Sequence, residues 1–117
     1  MPIIHKITLD DVVFPLGYRV VTLDLKSLGL RNNPHILQYP INEWFFLAED
    51  QVKSGVDDWG GIWVARTMGR ANGIMNYMKK QYDRDTRLFY AALDEILFAN
   101  NYRIKTNGIN MFEEIQF

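Results

Sequence analysis

The sequence predicts an α+β domain spanning residues 1–117: a mostly antiparallel sheet, one principal helix over about residues 68–82, and a C-terminal β-hairpin. Three observations carry the prediction. Tyr18-Arg19-Val20-Val21-Thr22-Leu23-Asp24-Leu25 is β-branched and aromatic, as strands are. Met68, Ala71, Met75, Met78 and Tyr82 recur at spacings of three and four, which builds one apolar helix face behind Thr67 as N-cap. Asn107-Gly108, the preferred two-residue turn pair, separates the alternating run Tyr102–Thr106 from Ile109–Phe112.

The remaining elements follow in chain order. Ile3–Ile7 reads as a short strand, and Asp10-Asp11 and Pro15-Leu16-Gly17 read as turns. Leu28–Pro34 reads as loop, because Asn33 precedes a proline and is pushed out of the helical region. His35–Tyr39 is a short extended piece. Asn42–Leu47 contains three adjacent aromatics and fits a helix or a strand equally. The acidic segment Ala48–Trp59 forms a surface excursion ending at Gly60-Gly61. Ile62-Trp63-Val64-Ala65 is nearly all apolar, as expected of a strand buried on both faces. Lys79 and Lys80 in the last helical turns complement the helix dipole. Gly69 and Gly73 lie four apart, on one side of the helix, where close packing against the sheet is expected. A strand starting at Thr86 is favoured, with a helix over Leu88–Phe98 as the competing pattern.

Composition removes several classes. With 48% hydrophobic and 14% aromatic residues, the 117 residues can bury a core and are not those of a disordered chain. Without cysteine there is no disulfide, no thiolate zinc site and no Cys nucleophile, and two histidines cannot build a multi-histidine metal site. No metal is therefore expected. The chain starts without a signal-peptide pattern and has no apolar run of membrane-spanning length, so a cytoplasmic protein with no membrane partner is expected. Residues 1–58 carry five Lys/Arg against eight Asp/Glu, and residues 59–117 carry eight against six, which sums to the net charge of −1. That balance disfavours nucleic-acid binding, even though Arg103 and Lys105 sit near aromatics.

One stretch points to ligand chemistry. Trp59-Gly60-Gly61-Ile62-Trp63-Val64-Ala65-Arg66-Thr67-Met68-Gly69-Arg70 runs from a glycine pair through a strand into a helix start. Helix N-termini present unpaired N–H groups and partial positive charge. Arg66 and Arg70 flank that end as a candidate bidentate anion clamp, Thr67 adds a hydroxyl, and Trp59 and Trp63 supply apolar walls. Hydrolytic chemistry has little support. Ser27 and Ser54 lie in no nucleophile motif, and His5 and His35 have no spaced partner. The pairs Asp10/Asp11, Asp57/Asp58, Asp94/Glu95 and Glu113/Glu114 are adjacent acids, which a strand would point to opposite faces.

Tyr18-Arg19-Val20 on an early strand, Gly61–Ala65 leading into a helix, and a late strand pair carrying Glu113 and Glu114 together resemble small ADP-ribosyltransferase-like domains. That resemblance implies an NAD-using enzyme in which Arg19 contacts NAD and Glu113 or Glu114 is the catalytic acid. It departs from the pattern in lacking a Ser-Thr-Ser element and in carrying Trp63 on the middle strand.

The residues themselves fit a small non-enzymatic binding or inhibitor module better. Phage and mobile-element accessory proteins are of this general character. Such a module needs no cofactor and takes an anionic nucleotide-like ligand or a partner protein at Arg66, Thr67, Arg70, Trp59 and Trp63. The apolar Tyr102–Phe112 strands also suggest homo-oligomerisation by edge pairing.

Overall fold

The computed structural model describes residues 4–29, 36–57 and 59–116. The start of the first expected strand (Ile3), most of the Leu28–Pro34 loop, His35 and Asp58 lie outside the described residues. Eight strands form one antiparallel sheet: β1 (Lys6–Leu9), β2 (Val12–Thr22), β3 (Trp44–Phe46), β4 (Ile62–Ala65), β5 (Thr86–Leu93), β6 (Ile96–Ala99), β7 (Arg103–Thr106) and β8 (Gly108–Ile115). The helix α1 (Met68–Tyr82) is inserted between β4 and β5. Strand order across the sheet is β3-β8-β5-β2-β4-β7-β6, with β1 paired to the start of β2. The α+β architecture thus matches the expectation from sequence.

Asp10 and Asp11 make the β1–β2 turn, both at positive φ (50° and 65°), as a two-residue hairpin loop requires. Pro15-Leu16-Gly17 is not a turn but the middle of β2. Pro15 lies where β2 pairs with the short strand β1. Gly17 is there because β2 and β4 pack too closely for a side chain: an added Cβ would stand 2.5 Å from Val64 Cγ2. β2 ends at Thr22, and Leu25 sits in a following turn at positive φ. Residues 44–46 resolve as strand, and Glu49–Gln51 form a single 3-10 turn in the acidic excursion.

The C-terminal hairpin is present, but its turn is not at Asn107-Gly108. β5 followed by β6 runs antiparallel to β7 followed by β8, from Leu88 opposite Ile115 to Ala99 opposite Ile104. The reversal falls at residues 100–102, where Asn100 Oδ1 accepts the N–H groups of both Tyr102 (2.8 Å) and Arg103 (2.9 Å). Asn107 is the bend residue between β7 and β8, opposite Glu95, and its side chain takes the place of a backbone rung. Its Oδ1 accepts from the Glu95 N–H and its Nδ2 donates to Asp94, both at 2.9 Å. β7 is covered on both edges by β4 and β6, and β8 by β5 on one edge and, over Gly108–Met111, by β3 and Ile41 on the other, so among the described residues Arg103–Thr106 and Gly108–Met111 offer no open edge.

The sheet buries both faces. On one side Val21, Ile62, Val64, Phe89, Leu93, Ile104, Ile109 and Met111 pack under Tyr39, Leu25, Leu37 and Leu47. On the other, Tyr18, Val20, Ala65 and Leu88 receive Met68, Ala71, Ile74 and Met75 of α1. Tyr82 is not part of that helix face: it is exposed, edge-on to Tyr77 with ring centroids 6.0 Å apart. Gly69 and Gly73 are exposed, and no neighbouring element approaches either. The expected close packing there does not occur. Asp83 closes the helix in the left-handed region, its N–H donating to Lys79 and Met78.

Candidate functional site

The junction from β4 into α1 gathers four of the five expected ligand residues. Thr67 is the N-cap, its hydroxyl accepting the Arg70 N–H at 3.2 Å. Arg66 turns inward and is only 5% exposed. Its Nη1 donates to the Asn100 carbonyl at 2.6 Å, and its backbone N–H donates to the Tyr102 carbonyl at 3.0 Å. Arg66 therefore fastens the helix start to the hairpin tip. Arg70, one turn on and exposed, lies over the Tyr102 ring at 3.9 Å.

The same corner continues onto the sheet. Arg103 is opposite Ala65 in the β4–β7 register and lies 3.8 Å over the Trp63 ring, while Phe98 meets that ring edge-on at 6.0 Å. Lys105 is opposite Trp63, with Nζ 5.7 Å from its ring. Nζ is buried and donates to the carbonyls of Gly55 (3.1 Å) and Asp57 (2.9 Å). Trp59 does not join the corner; it is exposed on the preceding loop, beneath Lys53 at 4.9 Å. Tyr102 lies outside the ligand set expected from sequence, and Arg103 enters that reading only with Lys105 on a basic hairpin, because the run from 102 reads as strand, whereas Asn100-Asn101 is the real turn signal. A shallow groove of about 230 Å³ at the far end of the helix, lined by Met75, Asn76, Lys79, Arg84, Asp85 and Thr86, shares no residue with this corner.

The residues implied by the transferase resemblance are distributed otherwise. Arg19, Phe89 and Glu114 occupy one cross-strand row on the face away from the helix, whereas Tyr18, Tyr90 and Glu113 form the row on the helix face. Glu113 is exposed and points away from Arg19. Glu114 is gripped by Arg87 through two bonds, Nε to Oε2 at 3.0 Å and Nη2 to Oε1 at 2.7 Å. Those hydrogen bonds hold its carboxyl below the usual carboxylate range and raise Arg87 above its own. Among the described residues, no cluster of acidic or histidine side chains is arranged to hold a metal ion, and no helix is long and apolar enough to cross a membrane.

Comparison with known proteins finds no matching family model, no matching curated protein and no matching solved structure. What the fold defines is a compact antiparallel-sheet domain with a single helix, and no family match supports the ADP-ribosyltransferase resemblance.

Proposed function

We propose that the chain is a small non-enzymatic binding or inhibitor module, of the accessory kind that mobile elements carry. Its binding corner is Trp63, Arg70, Tyr102 and Arg103, and its preferred ligand is anionic and nucleotide-like. The observation that carries this reading is the pair of cation–ring stacks at one corner, Arg70 on Tyr102 and Arg103 on Trp63. Tyr102 is 53% exposed, so a base has an aromatic surface to stack on while two guanidinium groups meet its phosphate. Thr67 closes the side of the site as helix cap, and Arg66 positions it from below.

A thermal-shift panel of mononucleotides, ADP-ribose, cyclic nucleotides and simple anions tests the reading. A nucleotide should raise Tm by several degrees at about 100 times its Kd, and Arg70→Ala and Arg103→Ala should each remove most of that rise. A flat panel removes the nucleotide ligand and leaves the acidic surface of a partner protein as the target of the same corner. Pull-downs with wild type against Arg70→Ala then decide that case.

A further inference from the structure

The two outer strands of the sheet differ in how their free edges are treated. β6 is shielded by the loop before β4, where the Gly55 N–H donates to the Leu97 carbonyl at 3.1 Å. β3 has no such cover among the described residues. Its neighbour Leu47 donates its N–H to the Asn107 carbonyl at 2.9 Å, in the register that sets Phe45 opposite Ile109. Antiparallel alternation therefore turns the Phe45 groups toward β8, and the N–H and C=O groups of Trp44 and Phe46 away from the sheet. Among the described residues nothing hydrogen-bonds to those four groups. The side chains prepare the same edge. Trp44 and Phe46 stack at 5.5 Å and 10° on one face, and Phe14 tilts onto Trp44 at 4.8 Å. The Phe46 ring fills the place that a side chain at Gly108 would take, yet Phe46 stays 53% exposed. Charge here is one-sided. Glu43, Glu49 and Asp50 are exposed around the strand, and residues 32–52 contain no Lys or Arg. Asp94, whose N–H donates to the Gly108 carbonyl at 3.0 Å, adds an acid at the Phe46 end.

We propose that β3 is a docking edge for an extended, basic segment of a partner protein, which adds to the sheet as a further strand. Trp44 and Phe46 offer two donors and two acceptors, so an antiparallel partner makes four main-chain hydrogen bonds there. The partner residues opposite them point to the same face, and apolar side chains at those places extend the Phe14–Trp44–Phe46 stack. The next partner positions outward lie opposite Glu43 and Leu47, the latter close to Glu49 and Asp50, so Lys or Arg suits both. The partner pattern is thus basic, apolar, any, apolar, basic. The same acids disfavour a second copy of this chain, because pairing two β3 edges brings like charges together. This edge lies across the sheet from the Arg70–Tyr102 corner and shares no side chain with it, so either reading can fail without the other.

The test is NMR titration of the isotope-labelled chain with the end-blocked peptide Arg-Val-Thr-Val-Arg, read at the Trp44 and Phe46 backbone amides. Those amides should shift saturably, and the affinity should fall as salt screens the charges. Methylating both valine nitrogens removes the donors of the peptide and should weaken binding about tenfold or more. Glu43→Lys, at an exposed position, should keep the fold and weaken binding about threefold. The peptide Glu-Val-Thr-Val-Glu should not bind. Amides that the basic peptide leaves unmoved overturn the proposal. Undiminished binding of the methylated peptide overturns strand addition, and equal binding of the acidic peptide overturns the basic partner. Shifts of the same amides with protein concentration alone would assign the edge to a second copy instead.

Discussion

Arg66 and Asn100 are joined by a 2.6 Å hydrogen bond from a guanidinium to a backbone carbonyl, across a corner where strand, helix and hairpin tip meet. A residue whose type and position suggest a ligand clamp thus holds the protein to itself. Because Arg66 is nearly fully buried, removing its side chain leaves the Asn100 carbonyl without that donor and opens a gap beneath the helix cap. Arg66→Ala should cost about 2–3 kcal/mol in urea denaturation, well beyond a surface substitution. Arg70→Ala, which removes an exposed cation–ring contact, should cost about 0.5–1 kcal/mol.

The glycines divide by location. Gly73 has open space where a Cβ would go, and at Gly69 the nearest atom is Thr67 Oγ1 at 4.0 Å, an ordinary contact. Gly69→Ala and Gly73→Ala should each stabilise the protein by about 0.5–1 kcal/mol, through helix propensity and a less flexible unfolded chain. Gly17→Ala should do the reverse, by about 1–3 kcal/mol, since its methyl meets Val64 inside the sheet. Chemical denaturation of the three variants reads both signs.

The Arg87–Glu114 pair makes stability fall in acid. Glu114 has a depressed pKa, chiefly because Arg87 hydrogen-bonds its charged form, so the unfolded chain binds a proton more readily than the folded one. Its contribution is fully present above the ordinary carboxyl value of 4.5 and is lost as pH falls from there through the folded value. Both side chains keep about a quarter of their surface exposed (28% and 26%), which limits the contribution to about 1 kcal/mol. Glu114→Gln should therefore be less stable than wild type at neutral pH, and the difference should shrink as pH falls below 4.5. A difference that persists unchanged in acid would exclude the ion pair as its source.

Asn107 is a fourth test. Its amide accepts from Glu95 and donates to Asp94, so Asn107→Ala removes both bonds at the bend of the ribbon and should cost about 1–2 kcal/mol. Asn107→Gly, which would be mild in a two-residue hairpin turn, should cost at least as much.

The helix and its cap were legible because a fifteen-residue periodicity and a local threonine bond are properties of one short segment. The strand beginning at Thr86 was legible for a similar reason. Asn107-Gly108 misled because a turn propensity is local, whereas the pairing that absorbs it involves Glu95 and Asp94 on another strand. Pro15-Leu16-Gly17 misled in the same way: each residue suits a turn, yet β1 and Val64 supply the long-range reasons for them to lie in a strand. At the candidate site, Trp63, Thr67 and Arg70 are close in the sequence as well as in the fold, since all three lie on the β4–α1 junction. Sequence proximity could not bring in Tyr102 and Arg103, which reach that corner only through the β4–β7 register. Nor does the identity of a lone arginine disclose whether it faces solvent, as Arg70 does, or a carbonyl, as Arg66 does.

The ribbon running from Thr86 to Ile115 also sets the order in which contacts can form. Its first rungs, beside the Asn100 tip, join residues almost adjacent in the chain, and each later rung closes only a little more chain than the one before. β2 is placed the other way: every pair it makes with β5 spans more than half of the protein. Loop-closure entropy therefore lets the ribbon zip locally and leaves the docking of β2 as the step that closes the largest loop. Speeding the tip should leave the overall folding rate little changed, and shortening the path between β2 and β5 should raise it.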